Sequence, residues 1–143
     1  MNLIAILLFV LLTIIALVHA YWAFGGRWPG RDEESLVKTV VGTKGLTSMP
    51  PFWLTMIVVP LIFAAGYFPL VWVGLAPSLL PNILNWLAMI VLMVVFLGRG
   101  LFSYTSLATK MEFEEPFATL DRKYYAPLCL LIGLGFTALF FSQ

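Results

Sequence analysis

Four long apolar runs alternate with three connections, and no Asp, Glu, Lys or Arg falls inside the body of any run. Leu3 to Trp22 is interrupted only by Thr13 and His19. Phe52 to Val73 contains Pro60, Gly66 and Pro69. Ile83 to Leu97 is unbroken in charge and continues past Gly100 to about Phe102. Tyr124 to Phe141 is the shortest. A bilayer core of about 30 Å takes roughly 20 apolar residues of helix. The pattern therefore predicts an all-α integral membrane protein. Its four transmembrane helices lie over about 3–22, 52–73, 83–102 and 124–141, within a single membrane domain over 1–143. Successive spans cross the membrane in opposite directions, which predicts an antiparallel bundle.

Composition agrees with this reading. The chain is 62% hydrophobic and only 10% charged, with a mean hydropathy of +1.00, whereas soluble domains carry about 25% charged residues. Val18-His19-Ala20 resembles the end of a secretory signal peptide. However, Met1-Asn2 supplies no basic n-region and the run is too long for an h-region, so we read it as a span.

All charge lies in Arg27 to Lys44 and Arg99 to Lys123, in or next to the first and third connections, and Gly74 to Asn82 has none. Lys and Arg near membrane ends are retained in the cytoplasm. The expected orientation puts both termini on the outer side and both long connections in the cytoplasm. Acids in the same segments hold their net charge near zero, which excludes a nucleic-acid surface. Tyr21, Trp22, Trp28, Phe52, Trp53, Tyr104, Tyr124 and Tyr125 gather toward the charged side and Trp72 and Trp86 toward the other, as in an aromatic belt.

In the first connection, the glycines and proline of Gly25 to Gly30 predict a turn. Arg31 to Val41 then predicts a short helix on the membrane surface. Asp32, Glu33 and Glu34 suit its N-terminal dipole, and Gly42 ends it, although Ser35 to Val41 also has strand-forming residues. The acids Glu112, Glu114 and Glu115 read as a solvated face.

Candidate chemistry rests on polar residues enclosed by apolar sequence. His19 lies near the inner end of the first span, Arg99 near that of the third, and Asp121, Tyr124, Tyr125 and Cys129 lead into the fourth. Each has a plain structural role open to it. Arg99 can snorkel, Asp121 can cap a helix or serve as its counter-ion, His19 can bond a carbonyl, and Cys129 can be a small buried apolar residue. Together they bring polar groups from three spans to one end of one interior, where desolvation favours pairing. Pro127 suits a first helical turn, but a helix from Pro127 to Phe141 is only about 22 Å long. A helix that begins nearer Asp121 and bends at Pro127 resolves the shortfall.

Three blocks carry a family resemblance: His19-Ala-Tyr-Trp-Ala-Phe-Gly-Gly26, Gly98-Arg99-Gly100, and Phe117-Ala-Thr-Leu-Asp121-Arg-Lys-Tyr-Tyr125-Ala-Pro-Leu-Cys129. They resemble the signature blocks of a family of small bacterial four-span integral membrane proteins, a domain of unknown function. The resemblance spans nearly the whole chain and implies the bacterial cytoplasmic (inner) membrane. It implies no activity, substrate or cofactor.

Several chemistries are excluded by residue type. One His and one Cys do not make a zinc site, haem would have His19 as its sole axial ligand, and no Walker loop or G-x-S-x-G elbow occurs. No metal or cofactor is expected. The outer half is almost wholly apolar, against a continuous aqueous pore. Two readings remain besides contact with membrane lipids. In one, His19, Trp22, Arg99, Asp121, Tyr124, Tyr125 and Cys129 surround an inner-leaflet pocket for an amphipathic, lipid-like small molecule. There His19 acts as acid or base, Arg99 meets an anionic head or pairs with Asp121, and a tyrosine donates a hydrogen bond. Binding and catalysis are both compatible with it, and no catalytic residue is assigned. In the other, the polar cluster is a structural lock, and the protein is an accessory subunit or assembly factor docked to another membrane protein or to a second copy of itself.

Overall fold

The structure, a computed structural model, describes residues Met1–Ser142. Among these residues all regular structure is helical. Four helices are long and apolar enough to cross a membrane: α1 (Asn2–Ala23), α3 (Phe52–Trp72), α4 (Asn82–Phe102), and a fourth that runs over Phe117–Phe140. The first connection carries α2 (Glu33–Val40), and α5 (Ser106–Lys110) lies in the third.

The fourth long helix differs most from its expected bounds. It begins at Phe117, before Tyr124 and also before the start near Asp121 that its length called for, and has three parts: α6 (Phe117–Leu120), a π-helical turn (Asp121–Tyr125) and α7 (Ala126–Phe140). Pro127 sits in the first turn of α7. It has no N–H to give the preceding turn, and its ring crowds the carbonyl four residues back. The chain answers with one widened turn rather than a break. The buried positions Phe117, Asp121 and Ala126 record this, with a step of four followed by a step of five.

Helix α1 packs against α3. Phe9 meets Phe63 edge-on at 5.8 Å between ring centroids, and Phe24 meets Phe52 at 5.5 Å. Next to the Phe9–Phe63 pair, Gly66 lets α3 close on α1: a Cβ there would lie 3.1 Å from the Leu12 Cβ. Helix α4 packs against α7 in the same way. A Cβ on Gly100 would lie 2.9 Å from the Ala126 carbonyl oxygen, and one on Gly133 would lie 2.9 Å from the Leu97 nitrogen. Lipid tails are as apolar as leucine, so helices in a bilayer associate through close packing rather than apolar burial, and glycine permits that approach.

The two pairs share one core of Ala5, Leu8 and Leu12 from α1, Ala65 from α3, Met89 from α4, and Ile132, Phe136 and Leu139 from α7. Phe96 stacks on Phe136 within it. At the end remote from the charged connections, the Trp72 indole donates to the Leu139 carbonyl at 2.9 Å and stacks on Phe140. Leu3, Leu7, Ile14 and Leu17 of α1 and many residues of α3 and α4 point outward, an apolar exterior suited to lipid.

The first connection forms the helix expected of it, and not a strand. Asp32 caps α2: its Oδ1 accepts from the Ser35 N–H at 2.8 Å while the Ser35 hydroxyl accepts from the Asp32 N–H at 3.0 Å. That backbone donor holds the Asp32 carboxyl below its ordinary range. Lys38 pairs with Glu34 at 2.7 Å and is raised by the contact. Leu36 and Val37 are fully buried. Gly42 ends the segment in the left-handed region, at φ 68°.

The first and third connections dock on each other. The Glu114 N–H donates to the Gly42 carbonyl at 2.8 Å, and the Gly45 N–H donates to the Glu114 carboxylate at 3.2 Å. Lys44 pairs with Glu112, whose carboxyl that ammonium holds below its ordinary range. The Glu112–Glu115 region is thus partly a docking edge and not only a solvated face.

Candidate functional site

Below the shared core, toward the charged connections, α1 and α7 part around a cavity of about 570 Å³. Ile15 and Val18 of α1, Ile62 of α3, Phe96 of α4 and Leu128 and Ile132 of α7 make its walls apolar. Its polar atoms come from few residues. The size and the mostly apolar lining match those of small-molecule sites in general.

His19 reaches the cavity from α1. Its Nδ1 lies 2.8 Å from the Ile15 carbonyl, and its ring rests on Trp22 at 5.0 Å. Trp22 in turn donates from its indole N–H to the Trp28 carbonyl at 2.7 Å. That bond draws the Gly25–Gly30 turn back onto α1, and Trp28 and Pro29 close the end of the cavity. Gly25 allows the reversal with φ 84°. Val40 of α2 completes this end and separates the cavity from a smaller cleft that shares His19 and Trp22.

Arg99 enters from α4. Its Nη2 donates to Asp121 Oδ1 at 2.5 Å and its Nη1 donates to the Ser103 hydroxyl at 2.7 Å. The pairing open to these residues from sequence is thus formed. Asp121 does not face the apolar cavity. It lines a polar pocket of about 180 Å³ on the far side, with Ser103, Thr109, Glu112, Glu115 and Arg122.

Tyr125 and Cys129 lie one turn apart and line the cavity. The Tyr125 hydroxyl donates to the Thr39 carbonyl at 3.2 Å, so this donor is already engaged by the protein. Tyr124 is elsewhere: its side chain is exposed, with the Lys123 ammonium over its ring at 5.2 Å. In a regular helix Tyr124 would share a side with Asp121 and Leu128. The π turn rotates it off that stripe. The structure therefore brings His19, Trp22, Arg99, Tyr125 and Cys129 around one cavity, with Asp121 behind Arg99 and Tyr124 apart. Among the described residues no group of three metal-ligating side chains converges.

Sequence reasoning missed Trp28, Val40 and Phe117 as parts of the cavity. Trp28 carried a usable signal: a tryptophan inside a glycine-rich reversal, six residues beyond a tryptophan at a helix end, is placed to fold back upon it.

The chain belongs to the family described as "Protein of unknown function (DUF3995)", whose model matches residues 12–136. The match takes in the three blocks singled out in the sequence and every residue of the cavity. No curated protein and no solved structure matches the chain.

Proposed function

We propose that residues 1–143 form one four-span antiparallel bundle in the bacterial inner membrane that binds an amphipathic, lipid-like small molecule at its cytoplasmic end. The observation that carries this reading is the cavity of about 570 Å³, apolar along its length and furnished at one end with His19 and Arg99. A purely structural polar lock would be packed shut, because voids of this size forfeit dispersion contacts.

The position of the mouth supports entry from lipid. Ile14 lines the cavity and is also 53% exposed, on the outward side of α1 with Val10 and Leu17. A ligand dissolved in the inner leaflet reaches the cavity sideways past Ile14, with its head toward Arg99 and its tail toward Ile132. The segregation of all charge into the first and third connections supports the cytoplasmic location of this end.

Two experiments test the reading. Purification in mild detergent followed by native mass spectrometry should reveal a small lipophile retained at about one per chain. Retention of a stoichiometric protein partner with no lipophile would favour the accessory-subunit role instead. For orientation, Lys44→Cys in a Cys129→Ser background should resist an impermeant thiol reagent added to intact cells. Labelling from outside would reverse the topology.

A further inference from the structure

We infer that the head group read by this cavity is a neutral hydroxyl, so that the ligand class is a lipid alcohol rather than a lipid anion. This rests on the pocket reading above and specifies its ligand. The inference comes from which polar atoms around the cavity are already engaged. A carbonyl oxygen can only accept, so the His19 Nδ1 that meets Ile15 carries the proton. In a neutral imidazole the other nitrogen is then a bare acceptor. Nε2 has no protein partner among the described residues and is not sealed from access. His19 borders both the cavity and the smaller cleft beside it, and with Nε2 turned to the cavity the site offers one strong acceptor.

The donors are fewer than residue types suggest. The Trp22 N–H is bound to Trp28, and the Tyr125 hydroxyl is bound to Thr39. Arg99 has spent one N–H on Ser103 and one on Asp121, which leaves further N–H groups of its five-donor fork without a protein partner. Its charge, however, is balanced by the Asp121 carboxylate at 2.5 Å. The other titratable groups facing the cavity, Tyr125 and Cys129, add no positive charge, and α2 and α3 contribute none that face it. A phosphate, sulfonate or carboxylate would meet a neutralised pair and a nitrogen lone pair, and would lose its hydration without a compensating cation. A hydroxyl matches both free features: it donates to Nε2 of His19 and accepts from Arg99. An ether or ester oxygen matches only the second.

Three probes of equal chain length separate these cases: a long-chain alcohol brominated in its tail, its methyl ether, and the corresponding alkyl sulfonate. The full-length protein is placed in phosphatidylcholine nanodiscs in mildly alkaline buffer, with Trp53 and Trp86 changed to phenylalanine, so that of the three tryptophans left Trp22 and Trp28 report on the cavity and Trp72, at the opposite end, gives the background quenching that a Trp22→Phe, Trp28→Phe control subtracts. Bromine quenching then reports occupancy. The alcohol should quench saturably at a concentration roughly three- to tenfold below that of its ether, the worth of one hydrogen bond, with the sulfonate weakest. His19→Phe should bring the alcohol and the ether together. A sulfonate that binds as well as the alcohol would overturn the inference in favour of an anion site at Arg99. Equal binding of alcohol and ether, or a gap that survives in His19→Phe, would overturn the role of Nε2. If His19→Phe does not fold, the ranking of the three probes on the protein with His19 intact still decides. Failure of all three to quench saturably would sink the pocket reading itself, which distinguishes that failure from a wrong head group.

Discussion

The Tyr125 hydroxyl donates to the Thr39 carbonyl at 3.2 Å across 86 positions of sequence. Tyr125 closes the π turn of the fourth long helix and Thr39 lies in α2, so the bond ties that helix to the first connection beside the cavity that Tyr125 and Val40 line. It stands beside the Lys44–Glu112 pair, which is solvent-exposed, and the Glu114–Gly42 contact, and it is itself half-buried.

Tyr125→Phe should therefore loosen α2 without disturbing the helices below it. The loss expected is about 0.5–1.5 kcal/mol, the net worth of one hydrogen bond. Hydrogen exchange checks this: the amides of Leu36 and Val37 should lose protection while those of Leu8 and Leu12 keep theirs. Unchanged exchange in α2 would mean that burial of Leu36 and Val37 alone holds it in place.

Arg99 and Asp121 form an uneven pair, the arginine side chain 39% exposed and the aspartate 7%. Arg99→Ala leaves a buried carboxylate without its cation. The expected cost is about 2–3 kcal/mol, below the usual range for buried pairs because Arg99 is partly accessible. Asp121→Ala should cost less, since Arg99 can then turn outward. The double variant should fall short of the sum by roughly 1 kcal/mol or more, read by thermal unfolding in detergent. Strict additivity would show that the contact contributes nothing.

The glycines of α4 and α7 are not equivalent. Gly100→Ala and Gly133→Ala each drive a Cβ within 2.9 Å of facing backbone atoms and should cost about 1–3 kcal/mol. Gly98 has nothing within 4 Å of its would-be Cβ, so Gly98→Ala should be neutral or stabilising by roughly 0.5–1 kcal/mol through helix propensity. Similar losses at all three positions would refute close packing of α4 on α7.

The cap of α2 predicts a pH effect. Asp32 is held below its ordinary value of 3.8 by the Ser35 N–H, so its contribution is full above that value and vanishes as pH falls through the lower, folded one. The amide of Ser35 should therefore begin to exchange faster from about pH 4 downward. Asn also accepts at this position, so Asp32→Asn should keep the cap and remove the pH dependence. Loss of protection at the same pH in the Asn variant would assign the effect to other carboxyls.

Much of this architecture was readable from residue order, because a membrane-length apolar run needs no partner to declare itself. The four long helices follow from charge-free runs, and the Arg99–Asp121 contact follows from the cost of leaving either group alone. The beginning of the fourth long helix was readable only in part: the short run after Pro127 called for a start nearer Asp121, but nothing local pointed as far back as Phe117. Phe117 to Lys123 carries three charges and looks like connection, and only packing of Phe117 on Gly42 and Tyr125 reveals it as helix. Tyr124 was misplaced for a related reason: assigning sides by regular spacing assumes an unbroken α-helix, and the widened turn before Pro127 breaks that assumption. Tyr125 was credited with a free donor because no local signal announces a carbonyl as distant as that of Thr39.

The Arg99–Asp121 contact also has a bearing on how the membrane is sealed. Arg99 belongs to the wall of the oily cavity, and Asp121 and Ser103 belong to the wall of the polar pocket beyond it. At this point the partition between lipid-like and water-like space is a single layer of charged and hydroxylated side chains. Any separation of the two spaces here rests on one ion pair and the Ser103 bond beside it rather than on a thickness of hydrocarbon, so the contact that orients Arg99 is also the thinnest part of the wall between them.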